Sequence, residues 1–267
     1  DVEEALRAVD RPVPEPGPGE VRIRVTACGV CRTDLHLVEG DLAPRRPDVV
    51  PGHEIVGTGA EVGRNAKDNL EYTGKVLKVG DRVVMCPDIL CGRCWYCRNS
   101  FGFPLCENIR GYGNHFTADE TPHLMGGWAE YLYVRPDAFV YKVPDSLDAE
   151  LAVMTELMAV TFNIDKAKEF SAMDGEGFGA GSSIAVQGVG PMGLLHVFKA
   201  RVMGAGDIIA LDRSDFRLAM ARKFGADFTI NVTGLNGDEI IARVRDLTAH
   251  PGDDFVSIEP GDIDGEV

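Results

Sequence analysis

Residues 183–193, SIAVQGVGPMG, run from a short apolar stretch directly into the pattern G-x-G-x-x-G, and their reading decides the fold. Ile184, Ala185 and Val186 have the brevity and apolarity of a buried strand. Gly188 permits a tight turn, Gly190 lets backbone approach a diphosphate, and Gly193 lets the following helix pack close to the sheet. A helix opening at Pro191 turns unpaired N–H groups and the positive end of its dipole toward phosphate. Glycine is common, so the pattern alone is weak. Here it follows a strand, opens a helix and stands 19 residues before Asp212, an acidic residue that ends the next strand. A carboxylate at that place accepts hydrogen bonds from ribose hydroxyls and repels a 2′-phosphate, which selects NAD; Arg213 beside it would receive the phosphate if the cofactor were NADP.

Downstream the same alternation continues. Residues 207–212 form a second strand, Ser214 caps a helix that Gly225 ends, and residues 227–231 form a third strand. Ile240, Ile241, Val244 and Leu247 mark one face of a further helix, and residues 254–258 read as a fourth strand. This is the α/β pattern of a doubly wound parallel sheet over residues 148–267, opened by a helical stretch at 148–163.

Upstream, residues 1–147 read as a separate, mainly-β domain. Val21, Ile23 and Val25 alternate with Arg22, Arg24 and Thr26, as in a half-buried strand. Residues 76–84 suggest two strands about a turn at Gly80-Asp81, residues 127–134 and 139–143 two more, and residues 64–75 a polar surface excursion.

The whole chain of 267 residues carries a formal charge of −15 with 45% hydrophobic and 26% charged residues, a globular composition. That acidity argues against a broad basic face for nucleic acid. No apolar run approaches the ~20 residues of a membrane span, and no signal-peptide pattern opens the chain. A cytoplasmic protein with neither nucleic-acid nor membrane partners is expected.

Cys91, Cys94, Cys97 and Cys106 are four of seven cysteines, an odd and clustered set unsuited to a disulfide framework. Thiolates so gathered are what a closed, tetrahedral, structural zinc site requires, in a lobe spanning about residues 86–110. Cys28 and Cys86 lie outside this pattern as small core residues. Cys31 and the pair His53-Glu54 are individually ordinary.

Together, however, CGVCRTDLH (28–36), VVPGHEIVGTGAEVG (49–63), CGRCWYCRNSFGFPLC (91–106) and GVGPMG (188–193) resemble, in order and rough spacing, the zinc-containing medium-chain alcohol and polyol dehydrogenases. The resemblance covers nearly the whole chain. It implies a GroES-like catalytic domain ahead of a Rossmann domain, and two zinc ions, one catalytic and one structural. Cys31 and His53 match catalytic-zinc ligands, Glu54 the adjacent glutamate, and Glu156 a third ligand, although Leu157 replaces the usual proline. Thr33 and His36 match a proton relay, Asp34 the carboxylate that orients the zinc-bound imidazole, and Arg32 a residue that steadies the diphosphate. The implied activity is hydride transfer from a secondary alcohol or polyol to NAD. A primary-alcohol dehydrogenase, an NADP-dependent sugar dehydrogenase and a truncated, non-catalytic zinc- and nucleotide-binding protein remain the alternatives.

A full domain of this type has six strands in the order 3-2-1-4-5-6. The sequence accounts for four, so the second half of the sheet is expected to be missing, and with it the outer strand through which family members commonly pair into oligomers. Leu37, Tyr112 and Trp128 are candidates for the substrate pocket by proximity to the motifs.

Overall fold

A computed structural model describes residues 6–41, 48–66, 70–99, 105–168 and 178–249. The chain divides into two compact units between Ala159 and Val160. In the first unit the elements are β1 (Val21–Cys28), α1 (Arg32–Glu39), β2 (Ile55–Val62), β3 (Arg82–Met85), β4 (Asp88–Ile89), α2 (Trp95–Arg98), β5 (Arg110–Gly111), β6 (Tyr131–Val134) and β7 (Val140–Lys142). Five strands pair antiparallel in the order β6-β1-β2-β3-β7, while β4 and β5 form a separate ribbon.

The period-2 pattern explains the packing of β1. Val21 and Ile23 enter one core with Ile55, Val83, Met85, Leu132 and Val140. Each such burial contributes about 1.5–3 kcal/mol relative to exposure. On the other face Arg22 pairs with Glu61 at 2.7 Å and lies 5.5 Å from the ring centroid of Tyr131.

Three sequence expectations change here. Only the second half of residues 76–84 is a strand: Val76 and Val79 are exposed, and the turn at Gly80 is held instead by Gly59, which donates to the Asp81 carbonyl and accepts from Gly80 N–H. Residues 64–75 are not simply a polar excursion, because Ala66 and Leu70 are buried in the main core. Residues 148–163 break into α3 (Ala149–Ala152), α4 (Thr155–Val160) and a 3₁₀ turn (Thr161–Lys168). The Thr155 hydroxyl donates to the Ala152 carbonyl at 2.7 Å, competing locally for an acceptor that a continuous helix would use.

In the second unit β8 (Ile184–Gln187), α5 (Pro191–Val202), β9 (Ile208–Asp212), α6 (Asp215–Phe224), β10 (Phe228–Asn231) and α7 (Gly237–Thr248) alternate. The strands are parallel in the order β10-β9-β8. Alternate residues of β9 enter different clusters. Ile208 and Ala210 pack with Val197 and Ala200 of α5 and Leu218 and Ala221 of α6, whereas Ile209 and Leu211 pack with Ile240, Val244 and Leu247 of α7. Both faces of β9 are thereby covered, as parallel sheets require. Ser214 caps α6, accepting from Arg217 N–H, and Gly225 ends it in the left-handed region. Ile241, expected on the apolar face of α7, is exposed; three contacts already fill the stripe. The Arg201 guanidinium donates to the carbonyls of Ala205, Gly206 and Gly225 and to Asp227, tying the helix ends to the sheet. The expected strand at 254–258 lies outside the described residues. No helix among the described residues is long and apolar enough to cross a membrane.

Glu71 anchors the segment between β2 and β3. Its carboxylate accepts from Thr73 N–H (2.8 Å), the Thr73 hydroxyl (2.7 Å), Lys75 N–H (2.9 Å) and Lys142 N–H (3.3 Å). Burial alone would raise its pKa, but these donors outweigh it and hold the carboxyl below its ordinary 4.5. Glu71→Gln replaces one acceptor with a donor, and is expected to cost about 1–3 kcal/mol in urea unfolding at neutral pH. Because the folded-state pKa is depressed, the stabilisation is complete above 4.5 and disappears as pH falls through the folded-state value, so the wild-type advantage should shrink in acid.

Candidate functional site

The turn after β1 and the turn before β2 lie side by side, Gly29 N–H donating to the Glu54 carbonyl at 2.9 Å. Cys31 sits at the N-cap of α1, and Asp34 three residues on turns back into the protein. Asp34 is fully buried, with Oδ2 accepting from Cys31 N–H at 2.8 Å and Oδ1 from Gly52 N–H at 3.0 Å. The same Oδ1 is 3.7 Å from His53 Nδ1, an ion-pair distance rather than a hydrogen bond. Cys31, His53 and Glu54 each offer a ligand atom within 4.8 Å of the others.

The charges around this triangle are strongly coupled. Burial opposes the charged form of His53, but Asp34 and Cys31 outweigh it and raise the imidazole pKa to about 9. Burial also opposes Asp34, yet His53 and the N–H groups of Cys31 and Gly52 hold its carboxyl below the ordinary value. Burial pushes Glu54 up, with His53 pulling against it. Glu156, on α4 in the same unit, is likewise pushed up by burial and feels the charges of His53, Glu54 and Asp88. It is electrostatically part of the cluster without sharing the close spacing of the other three.

Thr33 Oγ1 lies 3.6 Å from Cys31 Sγ. His36 is on the solvent side of α1, 3.3 Å from Asp41 Oδ2, and Arg32 is exposed, 3.8 Å from Glu39. Burial raises the Cys28 thiol to about 12, making it a neutral neighbour packed against the core. Tyr112 is wholly buried, its hydroxyl accepting from Arg135 N–H, and so is a core residue rather than a pocket wall.

The second thiol group is compact. Cys91, Cys94, Cys97 and Cys106 offer sulfurs within 4.8 Å of one another. Backbone N–H groups of Cys91, Cys94 and Cys97 donate to the sulfurs of Cys106, Cys91 and Cys94 at 3.4, 3.4 and 3.5 Å. The thiols titrate in opposite directions: N–H groups of Arg93 and Cys94 lower Cys91 to about 6, while burial and the adjacent thiols raise Cys97 to about 12. Such a set can ionise together only around a cation, and four sulfurs close a tetrahedral shell.

In the second unit Gly188 has φ +82°, and Gly190 is the N-cap of α5 with open space where a Cβ would stand. A Cβ on Gly193 would collide with the Gly188 carbonyl oxygen. Asp212 accepts from Val189 N–H and Ser214 N–H, each at 2.9 Å, and stands 3.7 Å from Arg217. Burial works against its charge, but the two N–H groups and Arg217 keep it ionised. His196, inside α5, is engaged with the Met192 carbonyl and is structural.

Residues 17–145 match the family described as the alcohol dehydrogenase GroES-like domain, and residues 191–259 that described as zinc-binding dehydrogenase. The chain belongs to the zinc-containing medium-chain dehydrogenases. It is 34% identical over 249 residues to an L-threonine 3-dehydrogenase of Pyrococcus abyssi, covering 92% of this chain and 63% of that protein. It is 33% identical to a sorbitol dehydrogenase of Bacillus subtilis over 91% of this chain and 62% of the relative. An alcohol dehydrogenase structure from Thermotoga maritima superposes with TM-score 0.78 at 30% identity, covering 89% of this chain and 63% of the other. The chain therefore spans a little under two thirds of the length of these medium-chain dehydrogenases. The mainly-β first unit and the parallel second unit are the GroES-like and Rossmann architectures of the family.

Asp88, in an otherwise apolar run, pairs with Gly111 across the β4–β5 ribbon, a contact that no local spacing announces.

The glycine turn makes a paired prediction. Gly193→Ala should lower stability by at least about 1–3 kcal/mol, since backbone must shift to admit the methyl. Gly190→Ala should leave the melting temperature nearly unchanged while weakening binding of the dinucleotide, read by thermal unfolding and by cofactor titration.

Proposed function

We propose that this chain is the zinc- and NAD-binding part of a dehydrogenase that removes hydride from a secondary alcohol or polyol. The observation that carries the reading is the Cys31–His53–Glu54 triangle, with a buried, ionised Asp34 behind the imidazole. A thiol, an imidazole and a carboxylate are a fitting donor set for zinc, and three protein ligands leave a position open for substrate. Relatives named for L-threonine, sorbitol and alcohol support a hydroxylated small molecule as substrate.

Cys31 and His53 hold the catalytic ion together with Glu54 or Glu156, and Cys91, Cys94, Cys97 and Cys106 hold the structural one. When bound, zinc polarises the alcohol oxygen and lowers its pKa, and NAD accepts the hydride. The chain's own groups do the rest. Asp34 fixes the His53 ring, and the Thr33 hydroxyl, in the first turn of α1, accepts the alcohol proton as it releases its own along the relay to His36. His36, open to solvent beside Asp41, hands that proton to water. Gly188, Gly190 and Gly193 shape the diphosphate turn, Asp212 reads the ribose, and Arg32 and Arg213 contribute positive charge to the cofactor.

Metal analysis is expected to give one zinc for each cluster, with alcohol-dependent formation of NADH; zinc well below one per chain counts against the reading. Asp34→Asn should weaken zinc retention at the catalytic site about 10–100-fold against a competing chelator. Wild-type chain should favour NAD over NADP. Asp212→Ala removes a repulsion of about 1–4 kcal/mol and should narrow that preference roughly tenfold or more in cofactor titrations.

A further inference from the structure

The glycines in and beside the turns of the candidate metal site are there for different reasons. Gly52 has φ +92°, and a Cβ on Gly126 would lie 1.8 Å from the Val50 carbonyl oxygen, so backbone alone demands glycine at both. Gly29 is different. Its φ lies outside the left-handed region that favours glycine. The three atoms nearest to a Cβ on Gly29 all belong to the Glu54 side chain: Oε2 at 1.8 Å, Cδ at 2.8 Å and Cβ at 3.0 Å. What glycine leaves open at this position is room for one carboxylate.

The two segments are not free to part and make that room in another way. Gly29 N–H donates to the Glu54 carbonyl at 2.9 Å, and the Asp34 carboxylate ties the Cys31 and Gly52 N–H groups on the far sides of both. Cys28 and Ile55, the neighbours on the strand side, are register partners of β1 and β2. A methyl on residue 29 is therefore accommodated by turning the Glu54 side chain, whose carboxylate end is the flexible part of the contact. Glu54 is buried, and its ligand atom lies within 4.8 Å of those of Cys31 and His53. Turned from its seat, the carboxylate leaves that triangle.

Resting on the zinc-dehydrogenase reading, we infer that Gly29 is a positioning residue: its missing Cβ is the opening that seats the Glu54 carboxylate beside Cys31 and His53. Gly29 touches neither substrate nor metal and acts through Glu54 alone. With the carboxylate displaced, the triangle keeps a thiol and an imidazole but loses the negative charge and the oxygen donor that a divalent cation would meet there.

Gly29→Ala tests this with two readouts. A crystal structure of the metal-free variant should keep the backbone bond between residues 29 and 54 and show the Glu54 carboxylate turned away from Cys31 and His53. A carboxylate still in place overturns the inference. In competition with a chelator, Gly29→Ala should weaken zinc at this site about 10–100-fold, with the four-cysteine site as internal control. In a Glu54→Ala background the same substitution should change zinc affinity less than about twofold. A loss of equal size in both backgrounds reports a backbone effect and overturns the inference, as does wild-type affinity in Gly29→Ala. Should Gly29→Ala fail to fold, Gly29→Ala with Glu54→Ala, which removes the colliding side chain, is expected to fold by circular dichroism; failure of that pair too places the collision in the backbone and overturns the inference. Neither readout needs turnover. Coupling of residue 29 to Glu54 without alcohol-dependent NADH keeps the inference and removes the dehydrogenase reading; NADH formation with Glu54 unmoved in Gly29→Ala does the reverse.

Discussion

A carboxylate taken fully out of water has to be matched by fixed donors, and Asp34 imposes that condition on the first unit. Its two oxygens bind the N–H groups of Cys31 and Gly52, joining the turn that leaves β1 to the turn that enters β2. The Gly29–Glu54 backbone bond extends the same pairing beyond the sheet. Asp34 thereby helps bring Cys31, His53 and Glu54 within 4.8 Å of one another. A partly mobile side chain could not bring a thiol and an imidazole together in this way, because leaving two buried N–H groups unpaired costs more than the contact returns.

The two sulfur-bearing sites follow different physical logic. The lobe of Cys91, Cys94, Cys97 and Cys106 is local: its donors come from one short segment, and their own backbone N–H groups point at the sulfurs. The triangle of Cys31, His53 and Glu54 is assembled from two segments, and Glu156 approaches from a third. Local chelation suits a site that closes on itself. Assembly from distant pieces suits one that keeps a face toward other groups.

This difference also governs what could be read from the chain. Elements defined by neighbours in sequence were legible: the alternation of β1, the glycine turn after β8, the Ser214 cap and Gly225 stop, and the spacing of the four clustered cysteines. Elements decided by distant partners were not. Val76 and Val79 have strand composition but no face to bury, and Leu70 hides in a polar stretch because the core happens to reach it. The helical signal at 148–163 fails where Thr155 takes the Ala152 carbonyl. The grouping of Cys31 with His53 was visible only through family resemblance, since neither residue is unusual alone. The pairing of Asp88 with Gly111 across a two-residue ribbon had no local signal at all.

Asp212 binds Val189 N–H inside the glycine turn and Ser214 N–H at the head of α6. One carboxylate thus braces the glycine turn and the head of α6 together, and on the proposed reading it also meets the ribose. On that reading, coenzyme choice and the shape of the diphosphate cradle are inherited as a single trait. A descendant that traded this acid for a smaller residue to welcome a phosphorylated coenzyme would first have to find another brace for its loop, which makes that evolutionary step a two-site change.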